Sequence, residues 1–156
     1  MLPDLRGYAR FLARDPGRAD DLVQDTVVRA LAALAQFKRG SSLRAWLFTI
    51  LRNTFFEQAR RRKTEQGAIE RADRPEQAVA ASQSGHVELA DLGRALYALP
   101  PLLREALVLV GLQQLDYAEA AAICGAPVGT MKARVSRARA ELSRRVARAD
   151  ATEKAA

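Results

Sequence analysis

What the sequence has little of narrows its function before any motif is considered. Among 156 residues there is one cysteine, Cys124, and one histidine, His86. An internal disulfide framework is therefore excluded, and so is a Cys-rich or His-rich metal centre. Aromatic residues make up 6% of the chain, and isoleucine occurs 3 times against 31 alanines. That balance suits helices and starves strands, so an all-α fold is expected. The longest apolar runs, such as Trp46 to Leu51 and Ala106 to Leu112, fall far short of the roughly 20 residues of a membrane span. Met1 to Arg14 alternate charge with apolar groups and hold no signal-peptide core, which predicts a cytoplasmic protein. There is no glycine-rich phosphate loop and no nucleophile beside a base, so neither a cofactor nor enzymatic activity is expected.

Positive charge is what the chain has in excess. Lys and Arg number 25 against 18 Asp and Glu, a formal net charge of +7 that favours a polyanionic partner. The excess is unevenly spread. Residues 1–65 carry 13 basic and 7 acidic groups, residues 66–99 carry 3 and 5, and residues 100–156 carry 9 and 6. From Gln66 to His86 the only long apolar side chains are Ile69 and Val79, among Ala, Ser, Gln and Gly, which reads as a linker. Two small helical domains, 1–65 and 87–148, joined by a flexible linker over 66–86 and followed by a tail over 149–156, is the simplest architecture.

Helical spacing supplies the detail. Leu5, Ala9 and Leu12 predict a first helix, and Asp15 followed by Pro16 starts a second along Val23, Val27, Ala30, Leu31 and Leu34. Ser41 or Ser42 can cap a third, whose expected core face is Leu43, Trp46, Leu47, Ile50, Leu51 and Phe55. The second domain opens with Leu89, Leu92, Ala95, Leu96 and Leu99 on one face, is broken at Pro100 and Pro101, and resumes with Leu102, Leu103, Ala106, Leu107 and Val110. Asp116 with Glu119 resembles a capping box for a short helix, Gly125 supplies a turn, and a last helix is expected from about Val128 to Ala147. A short helix, a Gly-containing turn and a longer helix form the helix-turn-helix pattern.

On that last helix a turn of about 100° per residue puts Met131, Val135, Ala138 and Leu142 in one sector, the natural core face. Gly129, Ala133, Ser136 and Arg137 lie opposite, with Thr130 and Lys132 beside them. Small residues facing outward between long cations let a helix lie deep in a major groove. Lys132 and Arg137 could then reach base edges, Ala133 a thymine methyl, and Thr130, Arg134 and Arg139 phosphates. From Val128 to Arg148 there are seven basic residues and one acidic, Glu141, a bias that goes beyond an ordinary solvated helix. The run Arg60, Arg61, Arg62 and Lys63 suits phosphate contact, but also the negative end of a helix dipole. Asp20, Asp21 and Asp25 in an otherwise basic domain admit two readings, favourable charge near a helix N-terminus or a docking patch for protein.

Three stretches carry a resemblance. Asp20 to Thr26 (DDLVQDT), Ala45 to Asn53 (AWLFTILRN) and Pro127 to Arg139 (PVGTMKARVSRAR) closely resemble the bacterial extracytoplasmic-function (ECF, group IV) sigma factors, in the family's order and over residues 2–148. The resemblance implies a three-helix sigma-2 domain, a linker and a sigma-4 helix-turn-helix domain. It implies that Asp20, Asp21, Gln24, Asp25 and Thr26 dock on the β′ clamp helices of core RNA polymerase, with the β flap as a further contact. Lys38, Arg39, Ser41 and Ser42 would hold an unstacked base of the promoter −10 element, and Arg52, Asn53, Arg60, Arg61 and Arg62 its backbone. Thr130, Lys132, Ala133, Arg134, Ser136, Arg137 and Arg139 would read the −35 element. Leu2 to Arg6 (LPDLR) and Trp46 to Asn53 look most like the alphaproteobacterial general stress response ECF sigma factors, a subgroup held by a small anti-sigma protein. Two other readings of the same features are a self-sufficient helix-turn-helix regulator and a sigma mimic that titrates an anti-sigma protein.

Overall fold

The computed structural model describes residues 2–66 and 87–155, which fall into two compact units, 2–66 and 87–155. The expected linker, and with it the side chain of Leu89, lies outside the described residues. Every regular element among the described residues is helical, in agreement with the expected all-α class.

The first unit holds α1 (Leu2–Ala13), α2 (Pro16–Ala32) and α3 (Leu43–Gln66), with a single 3₁₀ turn at Leu34–Gln36. Asp15 caps α2, its carboxylate accepting the Gly17 N–H at 3.0 Å, while Pro16 fills the first helical position, where no N–H is required. Ser42, rather than Ser41, caps α3 by accepting the Ala45 N–H at 3.1 Å. The core is Leu5, Tyr8 and Ala9 of α1, Ala19, Leu22, Val23, Thr26 and Ala30 of α2, and Phe48, Leu51 and Thr54 of α3. Tyr8 stacks on Phe48 with ring centroids 5.0 Å apart.

One expectation is corrected here. The buried face of α3 centres on Phe48, Leu51 and Thr54, while Trp46, Leu47, Ile50 and Phe55 are only half-buried and Leu43 is exposed. Leu31 and Leu34, which share helical spacing with the buried Val23 and Ala30, are 67% and 55% exposed. The physical reason is shared: α2 and α3 are covered on one side, and among the described residues of this unit no further helix covers the apolar stripe on the other.

The second unit holds α4 (Val87–Ala98), α5 (Pro101–Leu107), α6 (Tyr117–Cys124) and α7 (Val128–Ala155). Arg104 ties the first two together, donating to the carbonyls of Tyr97 and Leu99 at 3.0 Å each across the Pro100 break. Beyond α5 the chain widens into a π turn, Val108–Leu112, with the Gln113 N–H reaching the Val108 carbonyl five residues back. That turn buries Val108 and Leu109, whereas Leu102 at the start of α5 is 54% exposed. Asp116 caps α6 by accepting the Glu119 N–H at 2.7 Å, and Gly125 ends it in the left-handed region with φ of 63°. Helix α7 runs through residues 149–155, which were expected as a tail.

Candidate nucleic-acid interface

In the second unit the helix-turn-helix is α6, the Gly125 turn and α7. Met131, Val135 and Ala138 are fully buried on α7, with Leu142 packed against the same core, as the 100° periodicity required. That anchoring decides what α7 presents. Lys132, Ser136, Arg137 and Arg139 are exposed, and Thr130, Ala133 and Arg134 are half-buried at the edges of the buried stripe. All seven residues expected to read DNA therefore lie on one helix whose buried stripe anchors it in the unit. Lys132 lies over the Tyr117 ring of α6, its ammonium 5.7 Å from the ring centroid. The Arg134 guanidinium rests beside the Met131 sulfur at 3.9 Å. Glu141, the one acidic residue of the stretch, pairs with Arg144 and Arg145 at 2.6 and 3.1 Å, on the side of the helix away from the turn.

In the first unit the expected −10 residues form a loop and a helix face. Lys38, Arg39 and Ser41 are exposed; the Ser41 hydroxyl donates to the Lys38 carbonyl and Gly40 follows the left-handed path with φ of 88°. Ser42 is spent on capping α3. Along α3, Arg52, Asn53, Phe56, Glu57 and Arg60 line a shallow depression, with the Arg52 guanidinium over the Phe56 ring at 4.7 Å. Adjacent residues on a helix cannot share one face, and of the pair Phe56 is the one at the surface, 39% exposed beside Arg52, while Phe55 is half-buried. Arg61 contacts Glu57 at 2.9 Å, and Arg62 donates to the Gln58 carbonyl.

The acidic residues Asp20, Asp21 and Asp25, with Gln24, are exposed on α2. Thr26, expected among them, is fully buried, its hydroxyl donating to the Leu22 carbonyl at 2.7 Å, so it is a core residue and not a contact. None of the three aspartates lies in the first turn of α2, which removes most of the helix-dipole explanation for them. Asp25 accepts from Gln58 of α3 at 2.8 Å, and one turn on, Arg29 grips Glu57 through both carboxylate oxygens at 2.7 and 3.4 Å. The hydrogen bond from Arg29, more than its charge, holds Glu57 below the usual carboxylate range and in turn raises Arg29. An apolar groove, which the sequence reading did not anticipate, runs along the uncovered side of this unit between Leu2, Val27, Leu31, Leu34, Leu43 and Trp46. Among the described residues, no group of His, Cys, Asp and Glu could hold a metal ion, and no helix is long and apolar enough to cross a membrane.

Comparison with known proteins matches residues 1–65 to sigma-70 region 2 and residues 89–142 to sigma-70 region 4. The chain is 49% identical over 145 residues to the ECF RNA polymerase sigma factor EcfG of Rhodopseudomonas palustris, covering 91% of this chain and 78% of that protein. Among solved structures it is similar to the sigma factor RpoE of Bartonella quintana in complex with the anti-sigma factor NepR. That match has a TM-score of 0.82 and 43% identity and covers 93% of this chain and 91% of RpoE. It is also similar to CnrH in complex with the cytosolic domain of CnrY, with a TM-score of 0.67 and 31% identity over 95% of this chain and 81% of CnrH.

Proposed function

The chain belongs to the ECF RNA polymerase sigma factors, and from that membership we propose how its residues divide the work of promoter selection between polymerase and DNA. Asp20, Asp21, Gln24 and Asp25 dock on a basic surface of core polymerase, the β′ clamp helices. Lys38, Arg39 and Ser41 with Arg52, Asn53 and the Arg60 to Arg62 cluster engage the −10 element, and the outward face of α7 reads the −35 element. The protein acts by binding and not by catalysis, in the cytoplasm where polymerase works. An anti-sigma protein restrains it, as NepR is found on RpoE. Exposed apolar surface of the extent seen between Leu31, Leu34 and Leu43 is characteristic of a partner surface, and the groove there suits such a protein. Stress-response genes are the expected targets, by likeness to EcfG.

One observation carries this division of labour: a chain with a net charge of +7 keeps three aspartates exposed on a single helix face. A protein that bound DNA alone would repel its ligand with that face, whereas a protein that must also hold a polymerase needs it. Replacing Asp20 and Asp21 together by lysine is expected to abolish binding to purified core polymerase in a pull-down while leaving the circular dichroism spectrum unchanged. Retained polymerase affinity in the double variant would refute the assignment.

A further inference from the structure

The helix-turn-helix contains one contact that joins its two helices through a residue proposed to touch DNA. Tyr117 occupies the first position of α6, held there by the Asp116 cap behind it and by the buried Leu115 and Ala120 on either side. Its ring lies under the ammonium of Lys132, which projects from α7 at 5.7 Å from the centroid, within the distance at which an aromatic face attracts a cation. Lysine is a point charge on a flexible four-carbon stem and lacks the rigid fork that lets arginine find a base edge by its own geometry. Its direction must come from whatever holds the stem. Arg137 and Arg139 supply their own planar geometry and, among the described residues, take part in no ion pair.

We propose that Tyr117 is a positioning residue for promoter recognition: it holds Lys132 in the orientation from which the lysine reads the −35 element. This rests on the reading of α7 as the −35 helix. The ring lowers the ordering cost of the lysine before DNA arrives, which is where preorganisation gains affinity and selectivity. The opposite function, a ring that parks the lysine away from DNA, has the opposite sign in experiment.

The test uses the full chain reconstituted with core polymerase and a duplex pool randomised across the −35 element, bound and sequenced. Lys132→Ala is expected to flatten the base preference at one position of the pool. Tyr117→Leu is expected to flatten the same position and to weaken binding about two- to fivefold, the range of an exposed cation–π contact. Tyr117→Phe, which keeps the ring, restores the wild-type profile, a rescue that a hydroxyl-dependent role does not give. In the Lys132→Ala background Tyr117→Leu should change nothing further. If the two substitutions are additive, or if Tyr117→Leu tightens binding, the proposal is overturned. If Lys132→Ala itself leaves every position unchanged, the assignment of Lys132 to the −35 element fails, and the role of Tyr117 fails with it; a change with Lys132→Ala but none with Tyr117→Leu sinks only the latter.

Discussion

Two threonine hydroxyls lie in the core of the first unit, each satisfied within its own helix. Thr26 donates to the Leu22 carbonyl and Thr54 to the Ile50 carbonyl, both at 2.7 Å. A hydroxyl that turns back on its own helix offers its methyl to the core and no polar atom to solvent. Thr26→Val should therefore change stability by no more than about 1 kcal/mol in urea unfolding and leave polymerase binding intact. Thr26→Asp buries an unpaired charge and should unfold the unit. Loss of polymerase binding in a folded Thr26→Val variant would return Thr26 to the docking surface. Thr26 entered the docking patch as part of the DDLVQDT resemblance, which covers a stretch of sequence, whereas a helix turns one position of any such stretch inward, here Thr26. Phe48 was missed for a related reason. Its burial comes from Tyr8 on another helix, and no periodicity within α3 contains that partner.

At the level of elements, the caps and breaks were legible and the departures from regular helix were not. Asp15, Ser42, Asp116 and Gly125 act through their own backbone preferences, so each stands where local chemistry places it. The π turn after α5 follows no such local rule; it aims Val108 and Leu109 into a core built from distant parts of the unit. Between α2 and α3 the Arg29 to Glu57 grip is the charged tie, and its behaviour with pH follows from the direction of the shift. Glu57 titrates lower in the folded protein than in the unfolded chain, so its contribution is full above the ordinary glutamate value of about 4.3. That contribution is lost as pH falls through the lower folded value. The stability difference between wild type and Glu57→Gln should be greatest near neutral pH, shrink as pH falls below about 4.3, and shrink also with added salt because the pair is exposed. Urea unfolding across a pH series measures it, and a difference independent of pH would contradict the assignment.

For the molecule as a whole, a net charge of +7 by itself indicates only a polyanion. Resolved into two units, it becomes a basic loop and helix face in the first, a basic outward face of α7 in the second, and an exposed acidic face on α2, the one proposed for polymerase. The division into two units was visible in sequence because the stretch between them has almost no large apolar side chains, and the apolar groove was not, because exposure depends on which faces neighbouring helices cover. On the proposed division of labour, promoter-specific initiation uses all these surfaces at once. The most direct measurement is transcription in vitro with purified core RNA polymerase on a promoter library, with and without this protein. Discrete transcripts that share a −35 and a −10 sequence upstream of their start, absent with core enzyme alone, are the predicted result. No transcript beyond those of core enzyme alone, with tight duplex binding by the protein in the absence of polymerase, would contradict the account.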